Sequence, residues 1–341
     1  MAADFSAMAG DPALTAALTA AFDAAEQVRG TTSPNPPVGA AILNAAGELV
    51  GVGATQPPGG PHAEVMALRE AGEAARGGTA VVTLEPCNHT GRTGPCSHAL
   101  ADAGVARVYY VHGDPDANAR GGAAHLRDRG VEVTQLSIEA PTLRPWLTAT
   151  RFGRPHVTLK FAQTLDGFTA ARDGSSQWIT GPVARRHVHE DRRRRDAIII
   201  GTGTALVDNP ALTARRIDGS LQDHQPRRVV IGHREITAEA APKLHELGFE
   251  QYPEISAALR ELFQAGARDV LVEGGATLAA GFLAAGLVDA IQAYVAPTLL
   301  GQGHAVLAQA VSETLSGAAR FDLDRVTRLD QDVLLEMTRK A

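Results

Sequence analysis

The chain has 341 residues, of which 44% are hydrophobic and 21% charged. That length predicts about two domains, each able to bury a core, and excludes a disordered chain. The net charge of −6 disfavours a general nucleic-acid binder, and no apolar run approaches the roughly 18 residues of a transmembrane helix. Residues 1–10 carry Asp4 and no Lys or Arg. They lack the basic region of a signal peptide, so a soluble cytoplasmic protein is expected. Only three of the 32 basic residues are lysines: Lys160, Lys243 and Lys340.

Apolar periodicity predicts a helix over 12–28, with Leu14, Leu18, Ala21 and Phe22 on one face. A strand over 38–43 follows, then a helix over 62–76 whose start Pro61 suits. A β-branched strand over 79–84 leads to a short helix over 97–103. A strand over 106–112, a helix over 123–129 and a strand over 131–136 complete the alternation. Such alternation predicts a layered α/β domain with a largely parallel sheet. The pattern breaks over 146–155, where Gly153 and Pro155 punctuate the chain. The boundary is therefore expected near residue 150, giving domains 1–150 and 151–341. A second α/β pattern has strands over 156–162, 197–201, 228–232, 269–273, 291–296 and 333–337. Its helices fall near 182–195, 255–265 and 276–285.

The chemistry concentrates first at His62-Ala63-Glu64, which opens a predicted helix. A strand then runs into Glu85-Pro86-Cys87, and Cys96 follows after eight intervening residues. One imidazole and two thiolates leave a fourth tetrahedral position for water, as a catalytic zinc site requires. Zinc lowers the pKa of that water, and Glu64 is placed to move its proton without ligating the metal. His-x-Glu followed by Pro-Cys and a second Cys is the zinc-deaminase signature. Taken singly the parts are bland, since His-x-Glu is a common surface pair and two cysteines are commonly buried thiols. A structural zinc site wants a fourth protein ligand, which His89 or His98 offers. Joint occurrence in this order favours catalytic zinc. Nucleic-acid deaminases generally place two residues between the cysteines; here the wider loop carries His89, Arg92 and Thr93, donors suited to a phosphate. That points to a phosphorylated small molecule.

In the second half, Gly201-Thr202-Gly203-Thr204 and Gly274-Gly275-Ala276-Thr277 each follow a buried-strand pattern. Glycines at such turns let backbone amides approach a phosphate. Most turns of this kind are purely structural. Neither is the full Gly-x-Gly-x-x-Gly fingerprint, which argues against a classical dinucleotide-binding domain.

With these segments, and with Thr32-Ser33-Pro34-Asn35-Pro36-Pro37, Leu165-Asp166-Gly167, Ser176-Gln177-Trp178-Ile179-Thr180 and Val272-Glu273-Gly274-Gly275, the chain resembles the bifunctional riboflavin-biosynthesis deaminase–reductase family. The resemblance runs through nearly the whole chain in order. It implies a cytidine-deaminase-like α/β/α layered domain followed by a dihydrofolate-reductase-like α/β domain. The first would deaminate 2,5-diamino-6-(5-phosphoribosylamino)-4(3H)-pyrimidinone. The second would use NADPH to reduce the ribosyl group of the product to ribityl. By position, His62, Cys87 and Cys96 would bind Zn2+, with Glu64 as proton carrier. Asn35, His89, Arg92 and Thr93 would contact the first substrate, although Asn35 also suits a turn.

In the reductase, Ala162, Trp178, Thr204, Asp208, Gly275, Ala276, Thr277, Leu278, Ala279, Ala280 and Gly281 match cofactor positions. Ser176, Arg192, Leu212, Arg215 and Glu273 match substrate positions. Arg192 and Arg215 suit a bidentate phosphate clamp, and Asp208 is a second candidate catalytic acid beside Glu273. The alternatives are a solvated helix face for Arg192 to Arg195 and a core role for Trp178. Two departures stand out: Thr55 replaces a family His, and Asp114-Pro115-Asp116-Ala117 replaces an Asp-Pro-Asn-Pro stretch. A phosphorylated pyrimidine is the expected partner, with no nucleic acid or membrane. A homo-oligomer, dimer or tetramer, is expected. The competing readings are a deaminase of nucleic-acid bases and a zinc-stabilised binding module without turnover.

Overall fold

In the computed structural model, which describes residues 11–89 and 94–340, the chain divides into two compact units between Gly153 and Arg154. The first unit begins with α1 (Pro12–Gln27), whose N-terminal amides are capped by the Asp11 carboxylate. Its strands are β1 (Gly39–Leu43), β2 (Leu49–Ala54), β3 (Thr79–Leu84), β4 (Arg107–His112) and β5 (Glu132–Gln135). The helices between them are α2 (Ala63–Ala71), α3 (Cys96–Asp102) and α4 (Gly122–Asp128), and α5 (Arg144–Phe152) closes the unit. The sheet order is β2-β1-β3-β4-β5. Strands β3, β4 and β5 run parallel, whereas β1 is antiparallel to both β2 and β3. The expected largely parallel sheet is thus corrected to a mixed one. A tight turn after Leu43 makes β1 and β2 a hairpin, which needs no crossover. Leu18, Ile42, Leu100, Leu126 and Leu143 are fully buried in its core. The break expected over 146–155 is helix α5 up to Phe152, stopped by Gly153 in the left-handed region.

The second unit is built on an eight-stranded sheet. Its strands in chain order are β6 (His156–Thr164), β7 (Phe168–Ala171), β8 (Ala197–Gly201), β9 (Arg227–Ile231), β10 (Glu250–Tyr252), β11 (Asp269–Glu273), β12 (Ala290–Ala296), β13 (Gly303–Ala305), β14 (Phe321–Leu329) and β15 (Asp332–Arg339). The large sheet runs β10-β9-β8-β11-β6-β12-β15-β14, and β7 pairs separately with β13. The first six members are parallel, β15 is antiparallel to β12, and β14 is antiparallel to β15. Helices α6 (Pro182–Arg192), α7 (Thr202–Asp208), α8 (Pro242–Leu247), α9 (Ile255–Gln264) and α10 (Ala276–Ala284) connect them. Alternate residues of β8 serve opposite faces. Ile199 packs with Phe282 and Leu262, while Ile198 and Ile200 pack with Leu244 and Leu271. A strand buried on both faces is expected of a parallel sheet covered by helices. No helix among the described residues is long and apolar enough to cross a membrane.

Candidate active sites of the two units

In the first unit, β3 delivers Cys87 just past its C-terminal end, and two helix starts deliver His62 and Cys96. Local hydrogen bonds fix this junction. Glu85 accepts the amides of Gly121, Ala123 and Asp114 at 3.1–3.3 Å, and Ser97 N donates to the Cys87 carbonyl at 3.1 Å. Glu85, which carries no signal of its own in the sequence, accepts three amides and is thus a positioning group. His62 Nδ1 stands 3.5 Å from Cys87 Sγ and 3.4 Å from Cys96 Sγ. The three donor atoms lie within 4.8 Å of one another.

A tetrahedral zinc with bonds of about 2.3 Å to sulfur and about 2.0 Å to nitrogen puts nitrogen and sulfur about 3.5 Å apart. The donor set therefore fits zinc in both chemistry and spacing. Among the described residues no fourth ligand joins the cluster. His89 is exposed, and the His98 ring stacks on His125 at 4.0 Å, so the alternative of a closed site lacks its ligand. Glu64, in the first turn of α2, is buried at 4% exposure. Burial, then the charge on Cys87, pushes its carboxyl up to about 7. The Cys96 thiol and His62 lower the Cys87 thiol, which ionises ahead of Cys96.

Asn35 is half-buried, and its backbone N–H donates to the Thr32 carbonyl at 2.9 Å. Trp146 Nε1 donates to the preceding Pro34 carbonyl at 3.1 Å, so α5 braces this loop. Thr55 is buried and clasps the Val38 backbone, a structural task. Asp116 accepts from Asn118 in an exposed turn. Arg92 and Thr93 lie outside the described residues.

The second unit holds a cavity of about 690 Å³ at the C-terminal ends of β6, β8 and β11. That size suits a small-molecule site. Ala162, Ser176, Trp178, Arg192, Thr204, Asp208, Leu212, Arg215 and Glu273 all line it. Of the stretch after Glu273, Gly274, Gly275, Ala276 and Ala279 do so. The helical period turns Leu278, Ala280 and Gly281 away. Ala280 is fully buried, Leu278 packs on the core, and Gly281 faces Ile255. Thr277 is exposed outside the lining. Gly275 has φ 81°, and a Cβ there would press to 3.2 Å from Thr204 Oγ1. A bare backbone at a helix start, facing a cavity of this size, fits a dinucleotide cofactor.

Trp178 is 68% exposed under the Arg185 guanidinium, which sets aside the core reading. The solvated-face reading of Arg192 to Arg195 is also corrected. Arg195 is buried at 3% and bonds Asp191, Asp269 and Thr158. Arg192 binds both oxygens of Glu273 and the Thr213 carbonyl. Its fork is therefore occupied within the protein, and of the expected clamp Arg215 keeps Nη groups that bond none of the described residues. Asp208 ends α7 with an exposed side chain, and partial desolvation moves its carboxyl up. Lys160, which was not among the expected site residues, lines the cavity with Nζ 3.9 Å from Glu273 Oε2 and 5.6 Å from the centre of the Tyr294 ring. Its rarity in a chain with three lysines was the available signal.

Fold and site together define a zinc-deaminase domain joined to a reductase domain. Residues 13–112 match the family model of the cytidine and deoxycytidylate deaminase zinc-binding region, and residues 155–335 match that of the RibD C-terminal domain. The riboflavin biosynthesis protein RibD of Corynebacterium ammoniagenes is 60% identical over 90% of this chain and 93% of its own. That of Mycobacterium tuberculosis is 46% identical over 94% and 96%. Among solved structures, Acinetobacter baumannii RibD superposes with a TM-score of 0.85 at 36% identity, covering 96% of this chain and 99% of that one. A Thermotoga maritima structure, described as a diaminohydroxyphosphoribosylaminopyrimidine deaminase/5-amino-6-(5-phosphoribosylamino)uracil reductase, gives 0.83 at 30% identity with the same coverage. The chain belongs to the RibD family: it is a bifunctional deaminase–reductase of riboflavin biosynthesis.

Proposed function

We propose that the first unit deaminates 2,5-diamino-6-(5-phosphoribosylamino)-4(3H)-pyrimidinone and that the second reduces the resulting 5-amino-6-(5-phosphoribosylamino)uracil with NADPH. The observation that carries the first half is the His62–Cys87–Cys96 cluster with Glu64 buried beside it. The substrate pair is that of the Thermotoga maritima relative. When bound, zinc supplies a water acidic enough to attack at neutral pH. Glu64 takes the proton from the attacking water and hands it to the departing amine, so ammonia leaves neutral. Its raised pKa suits both acceptance and donation near neutrality. Asn35 pairs with the pyrimidine edge, and His89, Arg92 and Thr93 serve the ribose phosphate.

In the second unit the amides at the start of α10 would hold the NADPH phosphates, and Trp178, Thr204 and Asp208 would line the cofactor side of the cavity. NADPH supplies the hydride. Ring opening of the ribosylamine leaves the ring oxygen needing a proton before C1 accepts that hydride. Glu273 stays ionised between Arg192 and Lys160, so it anchors rather than donates. Lys160 is the donor, its ammonium pushed down in pKa by burial. Arg215 holds the substrate phosphate. We also propose a homo-oligomer; the exposed Leu323 and Val326 on the edge strand β14 favour covering by a second copy. Ammonia release from the diaminopyrimidine phosphate, followed by NADPH oxidation in the same tube, tests the reading. NADPH oxidation without prior ammonia release would contradict the order.

A further inference from the structure

A polar row crosses the middle of the second sheet. Glu273 on β11 registers with Lys160 on β6, Lys160 with Gln292 on β12, and Gln292 with Glu336 on β15. Residues paired in register point their side chains to the same face. Helix α6 confirms it, because Arg192 meets Glu273 and Asp191 meets Gln292 from that one helix. Gln292 is buried at 6% and does not line the cavity. Its Nε2 donates to Asp191 Oδ1 at 3.2 Å, which fixes the amide orientation, since the reverse would set oxygen against carboxylate. The other end, Oε1, is buried with no hydrogen-bond partner among the described residues.

A buried acceptor without a partner is costly, so a donor within reach is the natural complement. The neighbouring side chain in the row is such a donor. Lys160 carries three N–H groups, and among the described residues none makes a hydrogen bond. Its nearest anion, Glu273, is at 3.9 Å because Arg192 already occupies both carboxylate oxygens at 2.6 and 2.7 Å. We propose that Gln292 is a positioning residue of the reductase: its side-chain oxygen is the second acceptor for the Lys160 ammonium, reached by rotation of the flexible lysine chain. Glu273 and Gln292 then hold the ammonium from opposite sides and aim its remaining N–H into the cavity. Asp191 acts through the amide, because its bond to Nε2 turns the oxygen toward Lys160. The charged groups facing Lys160 are Glu273 on β11 and Asp191 and Arg192 on α6, with the Tyr294 ring on β12. The catalytic consequence rests on the proposed role of Lys160; the contact itself does not.

Because the chain has three lysines, protein labelled with 13C at lysine Cε gives three signals, assigned by Lys243→Arg and Lys340→Arg. The experiment compares the Lys160 titration in the parent with Gln292→Met, which keeps length and removes the acceptor, and with Gln292→Asn, which withdraws it. Loss of a hydrogen bond to a charged group lowers the Lys160 midpoint by about one pH unit in Gln292→Met. Gln292→Asn moves it in the same direction by less. The pH limb of reductase kcat moves with it, while KM and ammonia release hold. Ile291→Val, on the same strand and the other face, loosens the core without touching the row and leaves the midpoint alone. An unmoved midpoint in whichever Gln292 variant folds, or an equal shift in Ile291→Val, overturns the proposal. If the midpoint moves but Lys160→Met keeps full reductase kcat, the contact stands and the donor role of Lys160 falls.

Discussion

Arg192 gives Nε and Nη2 to the two oxygens of Glu273, at 2.6 and 2.7 Å, inside the reductase cavity. Two groups expected to act separately on substrate are thus one bidentate ion pair, and Lys160 is the cation left beside it. Burial alone raises the Glu273 carboxyl, but Arg192 and Lys160 outweigh it and bring it from 4.5 down to about 2.

A depressed carboxyl contributes stability that is present above its unfolded pKa and lost as pH falls through its folded one. For Glu273 the window runs from about 4.5 down to about 2, and the contribution above it is on the order of 3 kcal/mol. Glu273→Gln is therefore less stable than the parent at neutral pH, and the gap closes across that window. Thermal melts of both proteins over a pH series check this; a gap independent of pH contradicts it.

Arg195→Ala destabilises the second unit by about 3–5 kcal/mol, because it strands Asp191 and Asp269 as buried charges. Denaturant titration measures the loss. A change near zero means that water or rearrangement satisfies the two carboxylates.

Glu64→Gln keeps the metal and lowers deaminase kcat by about 10²–10⁴-fold, since the amide holds the shape but accepts no proton. Metal analysis beside ammonia release separates the two effects. Near-normal turnover removes Glu64 from proton transfer.

Arg215→Ala chiefly raises KM for the phosphorylated reductase substrate, by the about 1.5–3 kcal/mol of a lost charge-assisted contact. Its Nε is held by Thr213 Oγ1 at 3.0 Å, which leaves the Nη groups for a phosphate. If Lys160 supplies the proton, as proposed, Asp208→Asn weakens NADPH binding and leaves kcat near the parent value. Steady-state kinetics with each ligand varied distinguishes the two; a fall in kcat alone for Asp208→Asn reverses that assignment.

Strands β3, β8 and β11 were legible to the residue, because each is a short apolar run rich in β-branched side chains. The zinc cluster was legible because its chemistry admits few residue types. Strand β2, Leu-Val-Gly-Val-Gly-Ala, was not. Its glycines interrupt the β-branched pattern, yet they admit α2, whose Ala67 and Ala63 carbonyls would lie 2.3 and 2.2 Å from a Cβ on Gly51 and Gly53. Lys160, Gln292 and Tyr294 were missed for a different reason. Each is a polar side chain among buried neighbours on β6 or β12, and its meaning comes from partners on other elements that no local pattern encodes. Arg195 was hidden by its neighbours, since four consecutive arginines read as a solvated face.

The most direct test of two chemistries in two separate units is Cys87→Ser assayed on both substrates. Removing one thiolate ligand is expected to empty the zinc site and end ammonia release. The variant should then oxidise no NADPH when given the diaminopyrimidine phosphate, yet reduce the deaminated uracil at the parent rate. Loss of both activities in a folded variant, or NADPH oxidation on the undeaminated substrate, would contradict the account.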